Sequence, residues 1–192
     1  MSQINVPNVL TGGRILLAPA LALAMQPHVD ASIAALIFAV GMTTDFADGY
    51  IARSRGLVTK FGTLADPIAD KLFVGTALVG LAATNRIATW VVLTVFAREL
   101  FVTGMRLVAQ RQGVTIPANW LGKAKTVIQA FVVFVLLVAS PGAVATQVLV
   151  YLMVAVTIVS GLVYVHGYMR GRRVEVRRVA PASAVGARAT AG

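Results

Sequence analysis

The chain has no cysteine, two histidines and only seven carboxylates in 192 residues. The missing thiols exclude disulfide frameworks, thiolate metal sites and thiol nucleophiles. His28 and His166 stand near the ends of apolar segments, and neither is expected to bind metal. Charged residues make up 12% of the chain and apolar residues 58%. Soluble domains carry about twice that charged share, so a water-soluble single domain could not cover its own surface. The same composition excludes disorder except at the ends. No internal repeat and no Pro- or Ser-rich linker divides the chain.

What the sequence has in quantity is long apolar runs. A membrane-crossing helix needs about 20 mostly apolar residues, and six segments qualify: 7–25, 31–54, 62–84, 87–110, 119–140 and 143–168. The predicted fold is therefore all-α and integral to a membrane, a six-transmembrane-helix bundle over residues 1–170 with a basic, disordered tail over 171–192. Pro27, Asn85 and Pro141-Gly142 mark turns between segments. The first segment has a second reading. Arg14 followed by Ile15 to Met25, with Ala20-Leu21-Ala22, also resembles a signal peptide, although Pro19 interrupts it and little basic charge precedes it.

The seventeen cations orient the bundle. With six crossings, sixteen of them fall toward one side: fourteen in the connections 53–60 and 98–125 and after residue 169, together with Arg14 and Lys71, while Arg86 alone falls on the other. Basic residues favour the cytoplasmic face, so both termini are expected there, in the cell membrane. Topology and attraction to anionic membrane lipids account for the net charge of +10. Nucleic acid is not an expected partner, since no soluble module is present. Trp90 and Trp120, near segment ends, read as interfacial anchors.

Four of the seven acids lie between residues 45 and 70. Membrane-depth carboxylates are costly and point to function. At 100° per residue, with Asp45 at zero, Asp48 falls at about 300°, Gly49 at about 40°, Ala52 at about 340° and Arg53 at about 80°. One helix face thus carries two acids, two small residues and a cation. On the next helix Gly62, Asp66 and Asp70 recur every fourth residue, again on one face. The short basic link between these helices makes them antiparallel neighbours whose acidic faces can meet at the cytoplasmic end. Four converging carboxylates need cations to stay ionised. Oxygen-only ligands select hard ions such as Mg²⁺, Mn²⁺ or Ca²⁺, and two divalent ions would balance four charges. Two-metal sites serve displacement at phosphorus. Pro67 is expected to kink its helix and re-aim Asp66 and Asp70. Two other readings stand beside this one: interhelical salt bridges with Arg53, Lys60 and Lys71, and a cation or proton pathway.

The pattern Asp45-x2-Asp48-Gly49-x2-Ala52-Arg53-x8-Gly62-x3-Asp66-x3-Asp70 resembles, at all of its fixed positions, the signature of the CDP-alcohol phosphotransferases. The likeness extends over roughly residues 4 to 165. It takes in Asn5-Val-Pro-Asn8-Val-Leu-Thr11 through Arg14, Ala97-Arg98-Glu99 with Arg106, and Trp120-Leu-Gly122-Lys123-Ala-Lys125-Thr126 with Gln129. These segments are similar to the bacterial branch whose acceptor is sn-glycerol 3-phosphate. The resemblance implies a six-helix, usually homodimeric membrane enzyme that takes CDP-diacylglycerol as donor, with two Mg²⁺ or Mn²⁺ ions as cofactor. It implies Asp45, Asp48, Asp66 and Asp70 as metal-associated acids, and Asp70 as catalytic base toward the acceptor hydroxyl. A CDP pocket of Asp48, Gly49, Ala52, Arg53 and Gly62 also follows from it.

Arg98, Arg106, Lys123 and Lys125 stand at the same cytoplasmic end and suit the phosphate of a soluble acceptor. The positive-inside rule alone would also place them there. Arg98 directly follows the apolar run 87–97, so a partner is expected for it, either a ligand or Glu99. Asn8, Thr11 and Arg14 are candidates for the headgroup region, with Arg14 alternatively reaching to the interface. Phosphatidylglycerol, the acceptor of a cardiolipin synthase of the same family, is the alternative acceptor. A cation or proton transporter is the alternative of another class.

Overall fold

The computed structural model describes residues 6–54, 60–113, 120–139 and 143–179, with side chains described over 12–44, 69–113, 120–139 and 143–172. All regular structure among the described residues is helical. The six helices are α1 (Val6–Ala24), α2 (Ala31–Ser54), α3 (Lys60–Ala83), α4 (Thr89–Arg111), α5 (Trp120–Val138) and α6 (Val144–Val179). Each matches a predicted segment to within two residues, except at the end of α6.

That end corrects the sequence reading. Residues 171–179, expected to open a disordered tail, continue α6 to Val179. The run Gly171-Arg-Arg-Val-Glu-Val-Arg-Arg-Val179 holds no proline. Its basic residues suit a helix C-terminus, where the backbone carbonyls carry partial negative charge. Helix α3 is helical on both sides of Pro67.

Local chemistry sets the helix ends. Asp30 caps α2: its Oδ1 accepts from the Ser32 backbone N–H at 2.9 Å and the Ser32 hydroxyl at 2.7 Å. Those bonds hold the exposed Asp30 carboxyl below its usual pKa. The cap is therefore complete above the ordinary carboxylate range and weakens only as pH falls through the lowered value. Helix α4 starts two residues later than the apolar run because the chain first turns. Asn85 adopts a left-handed φ of 56°, and the Arg86 and Ile87 N–H groups both donate to the Leu81 carbonyl. The same helix stops at Gly113, whose φ of 67° is open to glycine at no steric cost.

The helices alternate in direction. Arg86, in the α3–α4 turn, donates from Nη1 to the carbonyls of Leu136, Leu137 and Ala139 at 2.9, 3.2 and 3.3 Å. The turns after α3 and α5 therefore share one end. Met25, just past α1, packs on Gly80 near the close of α3, at that same end. At the opposite end the Tyr168 hydroxyl donates to Gln112 Oε1 at 2.8 Å, joining α6 to the close of α4. Helix α1 packs against both α2 and α3, and α6 against α4 and α5. The core between them is aliphatic and aromatic, built from residues such as Leu21, Phe38, Phe73, Leu78, Val133 and Met153.

The exterior is apolar as well. Leu16, Leu100, Trp120 and Val144 are each more than 70% exposed, and Leu23, Leu36, Leu93 and Leu162 more than 60%. Soluble monomers avoid so much contiguous apolar surface. Trp120–Val138 and Val144–Arg172 are long and apolar enough to cross a membrane, and Gly12–Ala24 and Ala31–Thr44 form shorter apolar stretches.

The Arg86 guanidinium satisfies carbonyls that the end of α5 leaves open. Arg86→Ala should lower the stability of the detergent-solubilised protein by about 1–3 kcal/mol, read as a lower midpoint of thermal unfolding. An unchanged midpoint would show that the cap contributes nothing.

Candidate active site

Helices α2 and α3 are held in register by a close contact. Phe38 stacks on Phe73, with ring centroids 5.6 Å apart and planes within 7°. Gly41 meets the same ring so closely that a Cβ would stand 2.4 Å from its tip. Asp45 lies one helical turn beyond Gly41 along α2, and Asp70 lies three residues before Phe73 along α3. The contact thus draws together the two stretches of backbone that carry the aspartates. Asp45, Asp48, Gly49, Ala52 and Arg53 stand on the last turns of α2, and Gly62 and Asp66 on the first turns of α3. The side chains of these seven lie outside the described residues, as do those of Asn8 and Thr11. Asp70 is described and half-buried. No group of three His, Cys, Asp or Glu side chains gathers among the described residues.

Next to Asp70 the structure builds a charged cluster around Glu99. Arg98 donates from Nη1 to Glu99 Oε1 at 2.9 Å, the Lys125 ammonium donates to the same oxygen, and Lys71 Nζ stands 3.7 Å from Oε2. Lys71 also donates to the Thr103 hydroxyl at 2.6 Å. The second arm of Arg98 donates to Ser160 Oγ at 3.0 Å, and the Ser160 hydroxyl donates to the Thr157 carbonyl. Lys125 is 5% exposed and Ser160 2%. One carboxylate thus links cations from α3, α4 and α5, and one of those cations reaches α6. The charge of Asp70 also acts on the Lys125 ammonium.

Of the four cations expected to receive a phosphate, this cluster unites Arg98 and Lys125. Arg106 is exposed and lies over the Tyr164 ring, 5.9 Å from its centroid. It stands two turns past Glu99 along α4. Lys123 is exposed on the first turn of α5. Arg14 is 4% exposed, so it is not the interfacial side chain that one reading of the sequence made it. Its helix packs against both α2 and α3, which encloses that face.

Two members of the cluster were not among the residues expected to form the site. Lys71 directly follows the last aspartate of the signature. Ser160 is a hydroxyl inside the charge-free run of α6, and nothing in that run distinguishes it from a surface serine.

A family model described as CDP-alcohol phosphatidyltransferase matches residues 4–159. The chain belongs to this family. Among curated relatives, a protein of Mycobacterium tuberculosis (strain CDC 1551 / Oshkosh) named "Probable phosphatidylglycerophosphate synthase" is 40% identical over 173 residues, 86% of this chain and 82% of the relative. The CDP-diacylglycerol--glycerol-3-phosphate 3-phosphatidyltransferase of Rickettsia felis is 35% identical over 170 residues, 83% of this chain and 93% of the relative. Its namesake in Bacillus subtilis (strain 168) is 40% identical over 149 residues, 70% and 77% of the two chains. As a CDP-alcohol phosphatidyltransferase, the chain carries the family signature on α2 and α3, and the Glu99 cluster stands beside its last aspartate.

Gly41 sets how near α2 and α3 approach. Gly41→Ala should displace the Phe73 ring and destabilise the protein by about 1–3 kcal/mol. The double variant with Phe73→Leu should recover most of the loss, because the smaller side chain makes room. Equal thermal midpoints for the single and double variants would refute that account.

Proposed function

We propose that the chain transfers the phosphatidyl group of CDP-diacylglycerol to sn-glycerol 3-phosphate, giving phosphatidylglycerophosphate and CMP. The observation that carries this reading is the family match over residues 4–159, joined to relatives of that activity at 35–40% identity. The acceptor hydroxyl attacks the lipid-linked phosphorus, a new P–O bond forms, and the P–O bond to CMP breaks. Asp70 takes the proton of the attacking hydroxyl on its carboxylate. Its half-buried position beside the cationic cluster supports that role. Asp48, Gly49, Ala52, Arg53 and Gly62 bind the CDP moiety, where the small residues leave room for it. Arg98 and Lys125 hold the phosphate of the acceptor, with Arg106 and Lys123 at the approach, and Asn8, Thr11 and Arg14 border the headgroup region.

Asp45, Asp48, Asp66 and Asp70 would hold two divalent ions, Mg²⁺ or Mn²⁺. The donor set fits hard cations: it is oxygen-only, and the chain has no cysteine to favour a softer metal. When bound, such ions supply charge neutralisation to the pyrophosphate and to the leaving CMP.

The architecture belongs to the same proposal. Residues 1–170 form one membrane domain that crosses the cell membrane six times, with both termini and the active site toward the cytoplasm. The alternating helix directions, the apolar exterior and the one-sided basic charge support this. Residues beyond the domain form a basic cytoplasmic extension, helical at its start, that touches anionic lipid. The working unit is a homodimer, as the family resemblance implies.

Purified protein in mixed micelles of detergent and CDP-diacylglycerol, given Mg²⁺ and sn-glycerol 3-phosphate, should release CMP. Chelation with EDTA should stop the release, and excess Mg²⁺ should restore it. Asp70→Asn should remove turnover while leaving thermal unfolding unchanged. CMP formed with phosphatidylglycerol but not with glycerol 3-phosphate would overturn the acceptor, and ion flux in liposomes without CMP from any acceptor would overturn the enzyme.

A further inference from the structure

The Glu99 carboxylate has no task in the reaction proposed above, yet three cations pair with it. A negative group among cations that await a phosphate weakens the attraction they offer, unless it does something else for them. Lys71, Arg98 and Lys125 come from three different helices and converge on one point. Like charges so close repel, and the repulsion grows as water is excluded. Without a carboxylate between them, the three side chains would turn toward water in separate directions.

The charge sum is also specific. Over the four ion-paired groups, with Asp70 counted among the signature aspartates, three cations less one carboxylate leave +2. A phosphomonoester at neutral pH carries about −1.5 to −2, so this cluster matches one phosphomonoester. A phosphodiester headgroup carries a single negative charge and would leave excess positive charge enclosed. Arg98 is suited to such a ligand in geometry too. Glu99 holds one guanidinium arm and Ser160 the other, while its buried Nε has no hydrogen-bond partner among the described residues.

We infer that Glu99 is a positioning residue of the acceptor site. It gathers Lys71, Arg98 and Lys125 into one cluster of net charge +2 that selects a phosphomonoester acceptor over a phosphodiester one. The inference rests on the reading of the chain as a transferase to glycerol 3-phosphate, and it adds Lys71 on α3 to the residues that receive the acceptor. Lys71 adjoins Asp70 in the chain, so the cation that helps to bind the phosphate and the base that serves the hydroxyl stand on one turn of one helix.

The test is steady-state CMP release by the full-length protein in micelles, with each substrate varied in turn. Wild-type turnover with glycerol 3-phosphate, against none with phosphatidylglycerol, is the control for the activity itself, and its failure would sink that reading rather than the role of Glu99. Given that control, Glu99→Gln should raise KM for glycerol 3-phosphate about tenfold or more, the scale of one lost charge-assisted contact. KM for CDP-diacylglycerol should stay within about twofold of wild type, and Glu99→Asp should recover part of the loss. Lys71→Gln, at the more exposed edge of the cluster, should raise KM for glycerol 3-phosphate in the same selective way and serves if Glu99→Gln does not fold. An unchanged or lower KM for glycerol 3-phosphate in Glu99→Gln would overturn the inference. So would equal rises for both substrates in the variants that fold.

Discussion

A carboxylate enclosed among helices is costly unless every charge near it is answered. Glu99 meets that condition with an arginine from its own helix and lysines from α3 and α5, and the arginine carries the contact onward to Ser160 on α6. Four of the six helices are therefore coupled through one charged point. In lipid, an apolar helix face gains nothing by turning inward, because the hydrocarbon outside is as apolar as the core. Interhelical polar contacts then carry much of the orientation. At the far end of the bundle Arg86 does comparable work, with one guanidinium arm answering three carbonyls at the end of α5.

The two ends of the bundle thus have different characters. The end closed by Arg86 is a turn-and-cap structure with little other charge. Toward the opposite end lie the last turns of α2 and the first turns of α3, which carry the signature aspartates, and the Glu99 cluster stands near the middle of α3 and α4. Between them runs a core in which the Phe38–Phe73 stack and the bare backbone of Gly41 hold α2 against α3. Aromatic packing at mid-bundle therefore governs the spacing of the backbone that carries the acids.

The helices were readable in the sequence because each needed only a long apolar run. The aspartate signature was readable because its spacing is fixed within each of two helices. The partnerships of Glu99 were only half readable: Arg98 is its neighbour in the chain, but Lys71 and Lys125 meet it through the rotation of separate helices. Rotation is set by packing, and helix α6, apolar on every side, gives no periodic sign of the face that bears Ser160. Arg106 and Arg98 are both cations of α4, yet one lies over Tyr164 and the other joins the cluster. Charge pattern alone cannot separate those fates. The helical extension of α6 was hidden for a different reason, since its basic composition fits a solvated tail as well as a helix end.

The central claim is that this protein joins a phosphatidyl group to a phosphorylated glycerol. Mass spectrometry of the lipid formed by purified protein from CDP-diacylglycerol, Mg²⁺ and isotopically labelled sn-glycerol 3-phosphate tests it most directly. The account predicts labelled phosphatidylglycerophosphate, with both its phosphates present and one labelled glycerol per molecule. A lipid fraction without label, while the protein remains folded and CDP-diacylglycerol is intact, would contradict it.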